Sequence, residues 1–355
     1  RPAAGPALPA SILRPLHGVA PGLAVNLASA LRQEHAAPFE LLCAVHDPAD
    51  PAVPVAEAAL AGPAPPVLTR AALLREAALH GPNRKASQLE NLARQARHPV
   101  LVAADDDMRL PPHWLTAVTA PLAESGVGLV TCLYHGEAAG GGLWAELAAL
   151  QIDWHFLPNA LLGEAMGRAQ GCYGATVALR AEMLARLGGF AALAGLLADD
   201  HALGAAVRRL GLRVELAPVL PAHVMAERSF GALWAHELRW ARTVRLLDPA
   251  GYAGMALTHP LPFGLLAAAL LPGAWLVGWL ALAAALAGRV GLALAVDRAL
   301  GRGVRPRHLM LLPLRDLLSF AIWAAGLARG TVVWQGRRYR MRRDGTMIEA
   351  ATGRP

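Results

Sequence analysis

Val100-Leu-Val-Ala-Ala-Asp105-Asp106-Asp107 is an apolar run that ends abruptly in three carboxylates. A short continuous apolar run of this kind reads as a strand buried on both faces. Phe39-Glu-Leu-Leu-Cys-Ala-Val-His-Asp47 ends the same way. Further strands are expected at Ser11–Leu13, Val67–Thr69, Gly128–Cys132, Thr176–Leu179 and Arg213–Leu216. Helical stretches fall between them, at 22–33, 84–97, 112–124, 143–157, 181–187 and 200–210. Strands alternating with helices imply βαβ units, an α/β fold with a mostly parallel sheet covered on both faces. In such a sheet, ligands bind beyond the carboxyl ends of the strands, where Asp47 and Asp105–Asp107 fall.

The chemistry that these residues can carry follows from their type and spacing. A D-x-D pair at a strand end, here Asp105 and Asp107, can hold a divalent ion that bridges phosphates; the plainer alternative is an acidic turn ahead of Pro111-Pro112. Asp199-Asp200 offers a carboxylate to take a proton from a hydroxyl, or a helix N-cap. Asp47 suits a nucleotide base or ribose, or simply a loop before Pro48. His17, His46, His155 and His223 have no metal-site spacing and read as structural.

Hydrophobic residues make up 55% of the 355-residue chain and are unevenly distributed. Phe230–Leu247 reads as an amphipathic helix, and no charged residue occurs from Pro260 to Gly288, a length sufficient to cross a bilayer. Pro272-Gly273 interrupts that run, giving either one kinked span or a re-entrant piece followed by a span toward Val296. A second segment, Leu309–Leu327, contains Arg315-Asp316, expected to face protein or to lie at the interface. The Arg-rich stretch 337–343 marks a cytoplasmic flank by the positive-inside rule. The net charge of +7 comes almost wholly from Arg. With aromatics at 5% and no RNA-binding signature, a membrane surface and a pyrophosphate explain it better than nucleic acid. Cys43, Cys132 and Cys172 form no C-x-x-C pair and read as buried free thiols.

Taken together, several stretches resemble the inverting family-2-like glycosyltransferases, and more closely the ceramide glucosyltransferase group (family 21), in particular the bacterial hopanoid-biosynthesis glycosyltransferases. They are Ser11-Ile-Leu-Arg-Pro-Leu-His-Gly18, Leu42–Pro51, Gly81-Pro-Asn-Arg-Lys-Ala-Ser-Gln-Leu89, Ala104–Pro111, Ala198-Asp-Asp-His201, His236-Glu-Leu-Arg-Trp240 and Trp334–Arg340. The resemblance spans about residues 10 to 345. It implies a GT-A-type catalytic domain over 10–228, an interfacial helix region over 229–256, a membrane segment of two to three spans over 257–333 and a basic cytoplasmic tail over 334–355. It further implies that Asp47 binds the nucleotide, Lys85 approaches the donor, Asp105 and Asp107 hold Mg²⁺ or Mn²⁺ with the diphosphate, and Asp200 is the base. Arg239 and Trp240 would line the donor diphosphate and the acceptor end.

The implied activity is transfer of N-acetylglucosamine from a UDP-sugar to a lipid acceptor, a hopanoid polyol, at a bacterial inner membrane. The alternatives are a ceramide glucosyltransferase using UDP-glucose and, from another class, a non-catalytic membrane scaffold. Two departures stand out. His236 replaces the Gln or Arg that usually opens the last motif. Only Arg1–Ala10 precede the first strand, where the group has a membrane helix; either the chain is truncated or anchoring rests on the C-terminal segments.

Overall fold

The computed structural model describes residues 5–270, 274–328, 331–334, 337–342 and 345–349. The Pro272-Gly273 break, Gln335-Gly336, Arg343 and the last six residues lie outside them. In chain order the elements begin β1 (Ala10–Pro15), α1 (Leu23–Leu31), β2 (Phe39–Val45), α2 (Ala52–Leu60), β3 (Leu68–Arg75), α3 (Arg84–Gln95), β4 (Val100–Ala104), β5 (Met108–Arg109), α4 (Trp114–Thr119), β6 (Val127–Thr131) and β7 (His135–Ala138). They continue with α5 (Leu143–Gln151), α6 (Leu157–Ala165), β8 (Thr176–Arg180), α7 (Ala181–Arg186), α8 (Asp199–Arg209), β9 (Arg213–Leu216) and β10 (Ala222–Met225). The last third holds α9 (Phe230–Leu247), α10 (Pro249–Gly254), α11 (Pro260–Leu270), α12 (Trp275–Ala299), α13 (Pro306–Gly326), β11 (Val332–Trp334), β12 (Arg337–Met341) and β13 (Met347–Glu349).

The described residues fall into two compact units. The first comprises 5–139, 166–225 and 345–348. Its seven-stranded sheet runs β3-β2-β1-β4-β8-β6-β9. Strands β3, β2, β1 and β4 are mutually parallel, and β8 lies antiparallel to both β4 and β6, so the sheet is mixed at its centre. Alternate residues of each central strand enter different cores. Ile12, Leu41, Cys43, Val100 and Val102 join one, and Leu13, Leu42, Ala44, Leu101 and Ala103 the other. Helices therefore cover both faces, which is why these strands read as unbroken apolar runs. All three cysteines are free and buried. A smaller sheet, β5-β10-β7, forms at the carboxyl edge. Its strands have only two to four residues and no hydrophobic alternation, and sequence reading missed them.

The second unit comprises 140–165, the described residues of 226–342, and 349. Residues 140–165, read from sequence as part of the catalytic region, thus group with the C-terminal helices. The single helix expected at 143–157 is α5, one π-turn over Ile152–Phe156, and then α6. Helices α12 and α13 are long and apolar enough to cross a membrane. Helix α11 folds back along α12: a Cβ on Gly264 would stand 3.0 Å from the Leu282 Cα, and one on Gly278 2.7 Å from the Ala267 carbonyl. The run is thus a short helix followed by a longer one, on either side of the Pro272-Gly273 break.

The four buried charges of α12 and α13, Arg289, Asp297, Arg315 and Asp316, are all paired. Arg315, fully buried, donates to both carboxylate oxygens of Glu237 on α9 at 2.9 and 2.8 Å, and also to the Leu147 carbonyl and the Ser319 hydroxyl. Arg289 donates to both oxygens of Asp316 at 2.7 and 2.8 Å, while the Asp316 Oδ1 lies 3.0 Å from the His155 Nε2. Asp297 accepts from Arg305 and from the Trp154 indole. Arg315-Asp316 therefore faces protein. Unpairing a buried bidentate charge costs about 3–5 kcal/mol, because the remaining ion stays desolvated. Arg315→Leu is expected to lower the thermal unfolding temperature in detergent sharply, and Arg315→Leu/Glu237→Leu together much less. Equal losses would show that the pair carries no such coupling.

Candidate active site

The site of the first unit is built where the parallel strands end. After β4, the chain turns through Asp105–Asp107 and enters β5, which pairs antiparallel with β10 in the register His223↔Met108. That register brings the His223 Nε2 to 3.0 Å from the Asp107 Oδ2. From α3, Lys85 reaches the Asp105 Oδ1 at 2.6 Å and the Gly174 carbonyl at 3.4 Å. Asn83 caps α3 through its side-chain oxygen, accepting from the Ala86 N–H at 2.9 Å, and so fixes where Lys85 points.

Asp199 and Asp200 open α8. The cap position is Ala198, with no side-chain cap bond, so the N-capping alternative for Asp200 does not describe this helix. A Cβ on Gly174 would lie 2.6 Å from the Asp200 Oδ2, so a larger residue there would displace the carboxylate from its present position. The Cys172 thiol and Gly171 pack against the same helix start.

Beneath the triplet lies Arg14 of β1, fully buried and donating to the Met108 carbonyl at 3.0 Å and the Asp106 carbonyl at 3.4 Å. Asn26 holds the Asp106 carbonyl from α1 at 3.0 Å. Arg14 and His223 were not singled out as site residues from sequence. A charged residue inside the apolar run Ser11-Ile-Leu-Arg was the available signal for Arg14. His223 had none, since its place comes from the pairing of a four-residue strand with a two-residue one.

Burial is the largest influence on these carboxyls, and their mutual repulsion adds to it. Desolvation, then repulsion from Asp107 and Asp105, pushes the Asp106 carboxyl up to about 7. Desolvation raises Asp199 to about 6, and Asp200 and Asp105 add to this against the pull of Lys85. Desolvation also raises Asp105, although Lys85 opposes it. Burial pulls Lys85 down, but Asp105, Asp199 and Asp200 outweigh it and hold the ammonium charged. Lys85 is the only lysine in the chain, among 33 basic residues. A compact ammonium and a planar guanidinium are not interchangeable at a point-charge site.

Among the described residues, no three His, Cys, Asp or Glu side chains stand ready to surround a metal ion. The donor set nevertheless suits a hard cation. Mg²⁺ and ions like it usually keep waters and take one or two carboxylates plus substrate phosphates. Burial together with the neighbouring carboxylates disfavours the charged forms of Asp105, Asp106 and Asp199, and such an ion would favour them.

The remaining sequence expectations lie elsewhere. Asp47 is exposed at the end of β2, where its Oδ1 accepts from the Ala49 N–H at 2.8 Å and closes its own turn. Its neighbour Asp50 accepts from the Gly18 N–H, tying the loops after β1 and β2 together. Arg239 and Trp240 belong to the second unit, on α9, with the Arg239 Cζ 6.0 Å from the Trp240 ring centre.

The chain belongs to glycosyl transferase family 21, whose model matches residues 1–347. It is a glycosyltransferase. Among solved structures, it is similar to the mannosyltransferase PcManGT from Pyrobaculum calidifontis in complex with GDP-Man and Mn²⁺, at 18% identity over 92% of this chain and 90% of that one, with a TM-score of 0.47. It is also similar to GalNAc-T7 with UDP, GalNAc and Mn²⁺, at 14% identity over 66% of this chain and 47% of that one, with a TM-score of 0.43.

The raised carboxyls give a pH dependence. The folded chain binds more protons than the unfolded one between the ordinary carboxylate range and about pH 7, so this edge loses stability as pH rises through that window. Metal-free protein is expected to melt at a lower temperature near pH 7 than near about pH 5, by a margin that shrinks in Asp106→Asn. An unchanged margin in the variant would contradict the assignment.

Proposed function

We propose that this glycosyltransferase moves N-acetylglucosamine from UDP-N-acetylglucosamine to a hydroxyl of a membrane lipid, a hopanoid polyol, with inversion at the anomeric carbon. One observation carries the reading: a carboxylate cluster around a single lysine at the sheet edge, in a chain with two helices able to cross a membrane. A diphosphate leaving group needs its charge neutralised, and a lipid acceptor needs an enzyme whose second unit lies in or on the bilayer.

Each residue then has a defined task. Asp47 binds the nucleotide. Lys85 donates to the donor diphosphate, exchanging part of its contact with Asp105. Asp105 and Asp107 would hold Mg²⁺ or Mn²⁺, which supplies Lewis-acid stabilisation of the departing diphosphate when bound. His223, 3.0 Å from Asp107, orients that carboxylate. Asp200 takes the proton of the acceptor hydroxyl as the hydroxyl oxygen bonds to the anomeric carbon, and the bond from that carbon to the diphosphate breaks with its electrons leaving on UDP. Arg239 and Trp240, on α9 of the second unit, contact the lipid acceptor. The catalytic unit faces the cytoplasm at a bacterial inner membrane, on the side of the Arg-rich stretch 337–343.

UDP release by detergent-solubilised protein with Mg²⁺ or Mn²⁺ tests the reading. Turnover is expected with UDP-N-acetylglucosamine and a hopanoid polyol; turnover confined to UDP-glucose and ceramide would replace this reading with ceramide glucosylation. Asp200→Asn is expected to lower kcat by about 10³-fold, within the usual range of a lost general base, while leaving UDP-sugar binding intact. Undiminished turnover in that variant would remove Asp200 from the role of base.

A further inference from the structure

We infer that α13 lies in the plane of the membrane and that α11 and α12 enter the bilayer without crossing it, so that the second unit meets lipid from one side only. The inference rests on the membrane placement proposed above and adds its geometry: an enzyme of this form takes its acceptor from the leaflet that it enters. Length alone would let α12 and α13 cross. Their surroundings favour another arrangement. The buried residues of α13, among them Leu312, Arg315, Asp316, Ser319 and Ile322, follow one face. On the other face Met310, Leu314 and Leu317 are 82%, 48% and 41% exposed, and the apolar stripe continues through Ala321 and Ala324. A helix with charge on one face and an apolar stripe on the other suits the membrane interface.

Polar elements hold the buried face of α13 from end to end. Near its start, Arg307 pairs with Glu146 of α5 at 3.0 Å, and Arg315 donates to the Leu147 carbonyl. Arg315 also grips Glu237 of α9, while Arg245 and Arg242 of α9 donate to the Leu327 and Thr331 carbonyls at 3.3 and 2.7 Å. Helix α9 therefore runs beside the second half of α13. It carries Glu237, Arg239, Arg242 and Arg245 within three turns, too much charge for the hydrocarbon core. Bound along α9, α13 stays at the same depth. The pair α11 and α12 differs, because residues 275–277 and 279–281 are exposed at consecutive positions, on every side of the helix. A second protein would cover one side; acyl chains surround all of them. Between Trp275 and the next charge, Arg289, α12 rises about 20 Å at 1.5 Å per residue, short of the roughly 30 Å of a bilayer core. Arg289 is paired with Asp316 of the interfacial helix, which fixes that level near the surface. Gly264 and Gly278 let α11 pack closely on α12, so the two enter together.

The test is the sidedness of full-length protein in sealed membrane vesicles of known orientation, read with a membrane-impermeant maleimide. The three native cysteines are buried and give a low background. Val304→Cys, at an exposed position between α12 and α13, and Arg342→Cys, beyond α13, are expected to label from the same face and to lose labelling from the other. A fluorophore at Leu314→Cys is expected to be quenched by lipids that carry a quencher about 5–10 Å below the headgroups. Labelling of the first two variants from opposite faces would show that α13 crosses and would overturn the inference. So would quenching at Leu314→Cys by a water-soluble agent alone, or by neither agent, since the stripe would then face water or a second copy of the chain. A protein that stays in solution without detergent would overturn the membrane placement itself, and this inference with it. Sidedness is read without turnover, so an error in the donor or acceptor leaves it standing.

Discussion

The ion pair between Lys85 and Asp105 is the contact around which the carboxylate edge is organised. Five carboxylates, Asp105–Asp107 and Asp199-Asp200, come to one edge of a sheet, and like charges there cannot all be accommodated without a counterion. A single ammonium, 2.6 Å from Asp105, holds the β4 end and shares its second contact with the Gly174 loop. Arg14 supports the triplet from below through backbone carbonyls and leaves the carboxylates facing outward. The excess of negative charge is too large for these two cations. Together with burial, it leaves Asp106 and Asp199 as raised acids in the resting protein.

The second unit faces the same problem in an apolar setting. Each buried charge in α12 and α13 meets an opposite charge or a carbonyl: Arg289 with Asp316, Asp297 with Arg305, and Arg315 with Glu237. Ion pairs in such a place add little net stability over apolar packing, but they fix which helix face meets which. Arg315 therefore sets the rotation of α9. Because Glu237 sits between His236 and Arg239-Trp240, the grip that buries Glu237 turns those side chains to the other faces of the helix.

Much of the fold was legible in sequence because burial on both faces leaves a continuous apolar run. Phe39–Val45 is such a run and has the bounds that its composition suggested; the edge strand Arg213–Leu216 and α9, which starts at a Ser cap, also have their expected bounds. Elements without such a signature escaped: α2, with Pro54 inside it, and the three short strands of the small sheet. The antiparallel placement of β8 could not be read either, since direction in a sheet is set by connections and not by composition. Within the site, Lys85, Asp105, Asp107 and Asp200 were legible as short motifs, and the structure gathers them at one edge. Arg14 and His223 were not, because register and depth place them there. The family match establishes a glycosyltransferase, while the donor, the acceptor and the role of each residue rest on the chemistry proposed for this edge.

The central claim is that the carboxylate edge takes a UDP-sugar only together with a divalent cation. Calorimetric titration of UDP-N-acetylglucosamine into the purified full-length protein, with and without Mn²⁺, tests it most directly. The account predicts saturable binding with Mn²⁺ that is lost on chelation and in Asp105→Asn. Binding of equal strength in the absence of any divalent ion, unaffected by that substitution, would contradict it.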